Sequence, residues 1–82
     1  MIDETWSVCA ARVRQFFLQQ ADVSQTAQGF SYRSCCITLR ELPPGGAGMF
    51  SLPRTRIRIW GDEADESAIY RRFYLRFLSA GG

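Results

Sequence analysis

Charged and apolar residues alternate with a period of two along residues 54–60. Because consecutive side chains of a β-strand point to opposite faces, this alternation predicts an extended strand with two unlike faces. One face carries Ile57 and Ile59, with Thr55 beside them. The other face carries three arginines and an aromatic residue, namely Arg54, Arg56, Arg58 and Trp60. The segment is therefore predicted to bury its isoleucines and to turn its guanidinium groups away from the hydrophobic interior.

A second strand is predicted over residues 30–40, where apolar and polar positions also alternate. Cys35, Ile37 and Leu39 share one of its faces. The other face begins at Phe30 and carries Tyr32, Cys36, Thr38 and Arg40. Two prolines and three glycines within residues 42–48 interrupt the pattern, since proline lacks an amide donor and glycine leaves the backbone loose. The two strands are consecutive and joined by a short loop, which favours an antiparallel hairpin.

Helical spacing of apolar residues precedes the hairpin, at residues 3–20. Six side chains would share one face of this helix: Trp6, Cys9, Ala10, Val13, Phe16 and Phe17. Asp3 and Glu4 suit a helix start, because a carboxylate there can accept hydrogen bonds from the first free amides. Residues 21–29 are mostly small and polar and predict a loop.

A second helix is predicted from Asp62, a residue type that is favourable at the N-cap. Its first turn is acidic, which suits the positive end of the helix dipole: Glu63, Asp65 and Glu66. Residues 73–78 also alternate between apolar and other side chains. They leave open a second interpretation, in which a helix over residues 62–72 is followed by a third strand.

The predicted fold is α+β, with the order helix, strand, strand, helix and both helices covering one face of an antiparallel hairpin. The 82 residues form a single small domain over residues 1–82. Apolar residues make up 46% of the chain and aromatic residues 13%, which is more than so thin a fold readily buries. We therefore expect a homodimer, in which two hairpins could pair edge to edge as a four-stranded sheet.

The composition argues against catalysis and against a bound metal ion. Histidine is absent, and helix starts account for the carboxylates, so no nucleophile has a recognisable base partner. The three cysteines, Cys9, Cys35 and Cys36, lack the spacing of a paired CxxC metal site. We expect a non-catalytic protein without a metal or a small-molecule cofactor.

The cysteines also indicate a compartment. Their number is odd, and two of them are adjacent in a predicted strand, which fits a reducing cytoplasm better than a disulfide framework. The chain opens with acidic residues and lacks the basic and apolar regions of a signal peptide. Its longest apolar stretches are far too short to span a bilayer. We therefore expect a cytoplasmic protein without membrane contact.

The arginine face is the leading candidate for a binding surface, because guanidinium groups are planar, two-pronged donors that suit carboxylates and phosphates. The predicted site residues are Arg54, Arg56, Arg58, Trp60, Tyr32 and Arg40. Alternate residues of a strand lie about 7 Å apart, close to the spacing of phosphates along one nucleic-acid strand, and both aromatic rings could stack on bases. The net charge of +2 weakens a nucleic-acid role. We expect a protein-binding or adaptor module, with nucleic-acid binding through the same face as the alternative.

The chain ends in Gly81 and Gly82, and this tail resembles that of ubiquitin-like and sulfur-carrier proteins. The resemblance covers two residues and implies a tail that follows a β-strand. Only the interpretation with a third strand provides such a strand, and a helix-first order departs from the β-grasp fold of that family.

Overall fold

The computed structural model describes residues 1–46 and 51–80, and within them the chain forms five strands and two helices. In chain order these are β1 (Ile2–Trp6), α1 (Ala10–Leu18), β2 (Ser24–Gln25), β3 (Phe30–Tyr32), β4 (Cys35–Gly45), β5 (Leu52–Trp60) and α2 (Glu63–Ala80). The strands build one sheet in the order β1-β5-β4-β3-β2, and all neighbouring strands are antiparallel. The predicted α+β class is confirmed.

Both helices pack on one face of the sheet. The buried side chains of β4 and β5 all lie on that face. On β5 the buried positions are Thr55, Ile57 and Ile59, and on β4 they are Cys35 and Ile37. The helices bring mainly aromatic and branched side chains to this core: Val13, Phe16 and Phe17 from α1, and Ile69, Phe73 and Phe77 from α2. The molecule is thus a layer of two helices on a five-stranded sheet.

Phe73 of α2 lies at the centre of a cluster of aromatic rings. Its ring centroid is 4.9 Å from that of Trp6 and 5.0 Å from that of Phe77. The rings of Phe16 and Phe17 on α1 lie 6.3 and 6.2 Å away. The side chain of Phe73 is fully buried. The cluster therefore holds the two helices against each other and against β1.

The β4–β5 hairpin is confirmed. Ile37 lies opposite Ile59, and Leu39 lies opposite Ile57. Thr55 is buried on the core face, where its hydroxyl donates a 2.7 Å hydrogen bond to the carbonyl oxygen of Val8. The buried hydroxyl is thereby satisfied, and β5 is tied to the segment between β1 and α1.

The predicted helix over residues 3–20 is wrong in its first part. Residues 2–6 form β1, which pairs along the outer edge of β5, and α1 begins only at Ala10. Residues 2–6 adopt a strand despite their helical spacing, because β1 supplies hydrogen-bond partners to the edge of β5 that would otherwise be open. Trp6 still reaches the core, but it does so from the strand, through its contact with Phe73.

The predicted strand over residues 30–40 is two strands joined by a tight turn. β3 pairs back on β4, with Tyr32 directly opposite Cys35, and Arg33 in the turn has a φ of 52°. In one continuous strand these two residues would lie on opposite faces. The turn brings them onto the same face, so Tyr32 lies on the core side with Cys35. Cys35 is buried and Cys36 is exposed, as their adjacent positions predict.

The proline-glycine segment is a smaller interruption than predicted. β4 continues through Pro43 and Pro44 to Gly45, with an irregular register between Leu42 and Gly45. Proline is tolerated here because this part of β4 pairs with β5 alone, so the other edge needs no amide donors. The end of the predicted interruption, residues 47 and 48, lies outside the described residues.

The predicted second helix is confirmed and runs to Ala80, so the alternative third strand over residues 73–78 is wrong. No strand therefore leads into the glycine tail, and Gly81 and Gly82 themselves lie outside the described residues. The predicted loop over residues 21–29 contains the short strand β2.

The intermolecular sheet predicted for a dimer does not fit this topology. Both edges of the hairpin are already paired within the chain, β5 with β1 and β4 with β3. A homodimer formed in another way stays a prediction. Neither α1 nor α2, the helices of the described residues, has the length and apolar character needed to cross a bilayer.

Candidate binding face of the sheet

The side of the sheet that faces away from the helices carries most of the predicted site residues, and we call it the open face. Strand alternation and register place on it Asp3 and Thr5 of β1, Arg54, Arg56, Arg58 and Trp60 of β5, Cys36, Thr38, Arg40 and Leu42 of β4, and Ser31 of β3. None of these side chains is buried. The guanidinium groups of β5 thus point away from the hydrophobic interior.

The register brings a fourth arginine beside the three of β5. Arg40 of β4 lies directly opposite Arg56, and Thr38 lies opposite Arg58. Directly opposed residues of antiparallel strands have Cβ atoms about 5 Å apart, so the like charges of Arg40 and Arg56 repel each other. The pair therefore concentrates positive charge at the centre of the open face.

Asp3 of β1 is the carboxylate of the open face. The Nε and Nη2 atoms of Arg56 donate hydrogen bonds of 2.8 and 2.6 Å to its two oxygens. The Nε atom of Arg58 lies 3.8 Å from one of those oxygens. Hydrogen bonding to Arg56 is the main cause that holds the pKa of Asp3 below its usual value, and it raises the pKa of Arg56. Asp3 is therefore ionised throughout the neutral range.

Arg58 is held between Asp3 and Trp60. Its guanidinium carbon lies 5.8 Å from the centre of the Trp60 ring, which is a cation–π contact. Its Nε atom is buried and has no hydrogen-bond partner among the described residues. The Trp60 side chain is 36% exposed, so the row of arginines on β5 ends in an accessible aromatic ring.

Arg40 and Arg54 make no ion pair within residues 1–46 and 51–80. The pairs formed there use other cations, with Arg56 and Arg58 sharing Asp3. Glu41 does not compensate Arg40, because it points to the other side of β4. The open face therefore carries four cations against one anion, which makes its potential positive.

The acidic first turn of α2 does not neutralise the open face. Asp65 accepts a 2.7 Å hydrogen bond from the hydroxyl of Ser34 and lies 3.6 Å from Arg33. Glu66 is bound by the terminal amine at 3.0 Å and accepts a 2.9 Å hydrogen bond from the amide of Gly61. These contacts lower the pKa of both carboxyl groups and fix the start of α2 to the β3–β4 turn and β1.

Five of the six predicted site residues lie together on the open face, and the sixth does not. The structure brings together Arg40, Arg54, Arg56, Arg58 and Trp60. The prediction that Tyr32 lies on this face is wrong, because its side chain is 1% exposed and lies in the core. The residue that sequence reasoning missed is Asp3, which was interpreted as a helix cap. Residues 2–6 gave no clear local signal for a strand, because Asp3 and Glu4 are adjacent charged residues.

The described residues contain no cluster of metal-binding side chains, and the Cys35 thiol is buried among them. No group of three or more histidine, cysteine, aspartate or glutamate side chains is placed among them to hold a metal. Burial, the largest cause, raises the pKa of the Cys35 thiol and disfavours the thiolate form. The open face therefore presents guanidinium groups, the carboxylate of Asp3 and the indole ring of Trp60, beside the exposed thiol of Cys36.

Comparisons with known proteins add no family and no relative to this geometry. No protein-family model matches the chain, and no match was found among curated proteins or among solved structures. What the protein does must therefore be inferred from the arrangement of side chains on its surface.

Proposed function

We propose that the protein is a non-catalytic binding module that docks an acidic segment of a protein partner on its open face. The observation that carries this proposal is the excess of cations there, Arg40, Arg54, Arg56 and Arg58 against Asp3. The opposed arginines repel each other and do not stabilise the isolated fold. A partner that brings carboxylates would relieve this repulsion and pair with the arginines that have no anion.

The Asp3–Arg56 pair supports a carboxylate as the group that is recognised. Arg56 donates from two of its nitrogens to both oxygens of Asp3, the two-pronged pairing that guanidinium groups make with carboxylates. An extended peptide repeats side chains on one side about every 7 Å, which equals the spacing of alternate arginines on β5. A segment with acidic residues at alternate positions could therefore meet successive arginines in register.

Single-stranded nucleic acid is the alternative occupant, and the contact between Arg58 and Trp60 favours it. A base could stack on the indole ring while phosphates contact neighbouring arginines. One feature weakens this alternative. Because Tyr32 is buried, Trp60 is the aromatic side chain that the described residues place on the open face, so a single ring is available for stacking.

The double variant Arg40→Gln/Arg54→Gln tests the proposal. We expect its affinity for a fluorescein-labelled deca-glutamate peptide to fall about tenfold, since each exposed charge pair contributes up to about 1 kcal/mol. Fluorescence anisotropy measures this, at low and at moderate salt. Affinity of the unaltered protein should decrease with salt, because exposed charges are screened.

A matched control is Arg14→Gln/Arg71→Gln, which removes the same charge from exposed positions on α1 and α2. This control should bind the peptide almost as well as the unaltered protein. Equal losses in both double variants would mean that only net charge matters, and the open face would lose its role. Tighter binding of a deca-thymidine strand than of the peptide, lost in the open-face variant alone, would favour the nucleic-acid alternative.

Replacing Asp3 by asparagine is expected to raise the affinity for the acidic peptide, whereas the arginine variants lower it. Asp3→Asn keeps the side-chain shape but removes the carboxylate that competes for Arg56 and Arg58. We expect the affinity for deca-glutamate to rise about two- to fivefold, the equivalent of one exposed charge pair. The same anisotropy titration measures it. Weaker binding would contradict the prediction and would mean that Asp3 positions Arg56 for its ligand.

A further inference from the structure

A cleft lies between the two helices, on the opposite side of the molecule from the open face. Its volume is about 110 Å³, and it is lined by Arg12, Gln15, Phe16, Gln19, Arg76 and Phe77. The lining contains two cations and two amides and no acidic residue. The functional role proposed for the open face makes no use of this cleft.

Both arginines of the cleft contact the same aromatic ring. The guanidinium carbons of Arg12 and Arg76 lie 5.9 and 5.7 Å from the centre of the Phe77 ring. That ring is 3% exposed and is fixed by Phe16 and Phe73, at 5.7 and 5.0 Å. A guanidinium group that packs against a ring keeps its N–H donors free at its edge. The two cations are thus oriented in advance, which lowers the entropy cost of binding a ligand.

Neither arginine of the cleft has a carboxylate partner within residues 1–46 and 51–80. Arg72, one turn before Arg76 on α2, provides the contrast. Its two terminal nitrogens donate hydrogen bonds of 2.7 and 2.9 Å to the two oxygens of Asp22, which ties α2 to the loop after α1. Arg72, which ties α2 to the loop after α1, thus has an anionic partner, whereas the two arginines of the cleft do not.

The amides of the cleft add neutral donors beside these cations. Arg12, Gln15 and Gln19 follow one another at intervals of three and four residues, so they lie on one face that runs from the first turn of α1 to its C-cap. An amide nitrogen can donate two hydrogen bonds to oxygens, and a guanidinium group can donate five. The lining of the cleft therefore combines neutral donors with two positive charges.

We propose that this cleft binds a phosphate monoester, with Arg12 and Arg76 as the cationic ligands of the phosphate group. A phosphate monoester carries a charge of about −1.5 to −2 near neutral pH, because its second pKa is about 6. Two guanidinium groups match this charge. A phosphodiester carries a single charge and would leave one cation without a partner. The binding should weaken below about pH 6, because the second ionisation of the phosphate is then lost.

The test is a titration of the full chain, followed by NMR of the arginine Nε–H groups. The probes are inorganic phosphate and phenyl phosphate as dianions, with dimethyl phosphate as the singly charged diester. We expect saturable shifts of Arg12 and Arg76 with both dianions and at least tenfold weaker binding of dimethyl phosphate. The titration is done in the Arg40→Gln/Arg54→Gln background, which weakens anion binding at the open face, and the shifts of Arg56 and Arg58 are followed separately.

The variant Arg12→Gln/Arg76→Gln should reduce the affinity for phenyl phosphate at least tenfold. Its backbone amide spectrum should remain that of the folded protein, because both side chains are exposed. Arg71→Gln, on the same helix and outside the cleft, is the control and should leave the affinity unchanged. Equal binding of the diester, shifts spread evenly over all arginines, or an unchanged affinity in the double variant would each overturn the proposal. Arg76→Lys keeps the charge without the planar fork and should bind with intermediate affinity.

Discussion

Phe73→Ala is expected to lower the free energy of unfolding by about 3–5 kcal/mol, the usual cost of removing a buried phenyl ring. Phe73 is fully buried and contacts rings on both helices and on β1. Small domains have a total stability of about 5–15 kcal/mol, so this variant should be close to unfolding. The effect is large because the cavity opens where three elements meet.

Urea denaturation followed by circular dichroism measures this loss. Leu78→Ala on the same helix is the matched control, because the Leu78 side chain is 52% exposed. The control should change the free energy of unfolding by less than about 1 kcal/mol. Similar losses in the two variants would contradict the packing of α2 on the sheet through the face that carries Phe73.

Adding a methyl group at Gly29 or Gly61 is expected to cost about 1–3 kcal/mol or more, because each glycine faces neighbouring backbone. A Cβ atom at Gly61 would lie 2.6 Å from the carbonyl oxygen of Ser34 and 2.8 Å from Cα of Cys35. One at Gly29 would overlap the carbonyl oxygen of Ile37. Gly29→Ala and Gly61→Ala should therefore both unfold at lower urea concentration than the unaltered protein.

Gly45→Ala is the control for these two variants. There the added Cβ would meet only the side chain of Arg54, at 2.7 Å from its Cδ atom. A long exposed side chain can move aside at little cost, so the stability of this variant should stay within about 0.5 kcal/mol of the unaltered protein. If all three alanine variants lost the same stability, the close approach of backbone at Gly29 and Gly61 would not be the cause.

The sequence predicts β5 and α2 well because their patterns are local and strong. On β5 three apolar or hydroxyl-bearing residues alternate with arginines. The first set is buried and the arginines lie on the other side of the sheet, as expected. On α2 the acidic first turn and the aromatic arc agree with each other. In both segments local propensity and tertiary packing favour the same structure, so no long-range knowledge is needed.

β1 could not be predicted in this way, because a charged residue interrupts the alternation of apolar and polar side chains along it. Glu4 lies on the helix side of the strand, where an apolar residue would be expected. Its carboxylate is satisfied there by the hydroxyl of Tyr70 at 2.5 Å and the indole N–H of Trp6 at 2.9 Å. Tyr70 lies 66 residues further along the chain, and Trp6 reaches Glu4 as part of the same strand. Local spacing alone therefore favours a helix over residues 3–20.

The same limit applies to the candidate site. Arg54, Arg56 and Arg58 share a face because of the strand period, and Arg40 joins them once the hairpin is assumed. Tyr32 fails because a two-residue turn changes its face, and nothing at one sequence position reveals that turn. Asp3 reaches the arginines only through the pairing of β1 with β5, which joins residues that are 53 positions apart for Asp3 and Arg56.

The proposed function depends most directly on where an acidic peptide contacts the protein. The decisive measurement is an NMR titration of the isotope-labelled chain with deca-glutamate, read as shifts of the backbone amides. We predict the largest shifts at Thr38, Arg40, Arg54, Arg56 and Arg58, with small shifts along the outer faces of α1 and α2. Shifts concentrated on the helices, or none at saturating peptide, would contradict the open face as the binding surface.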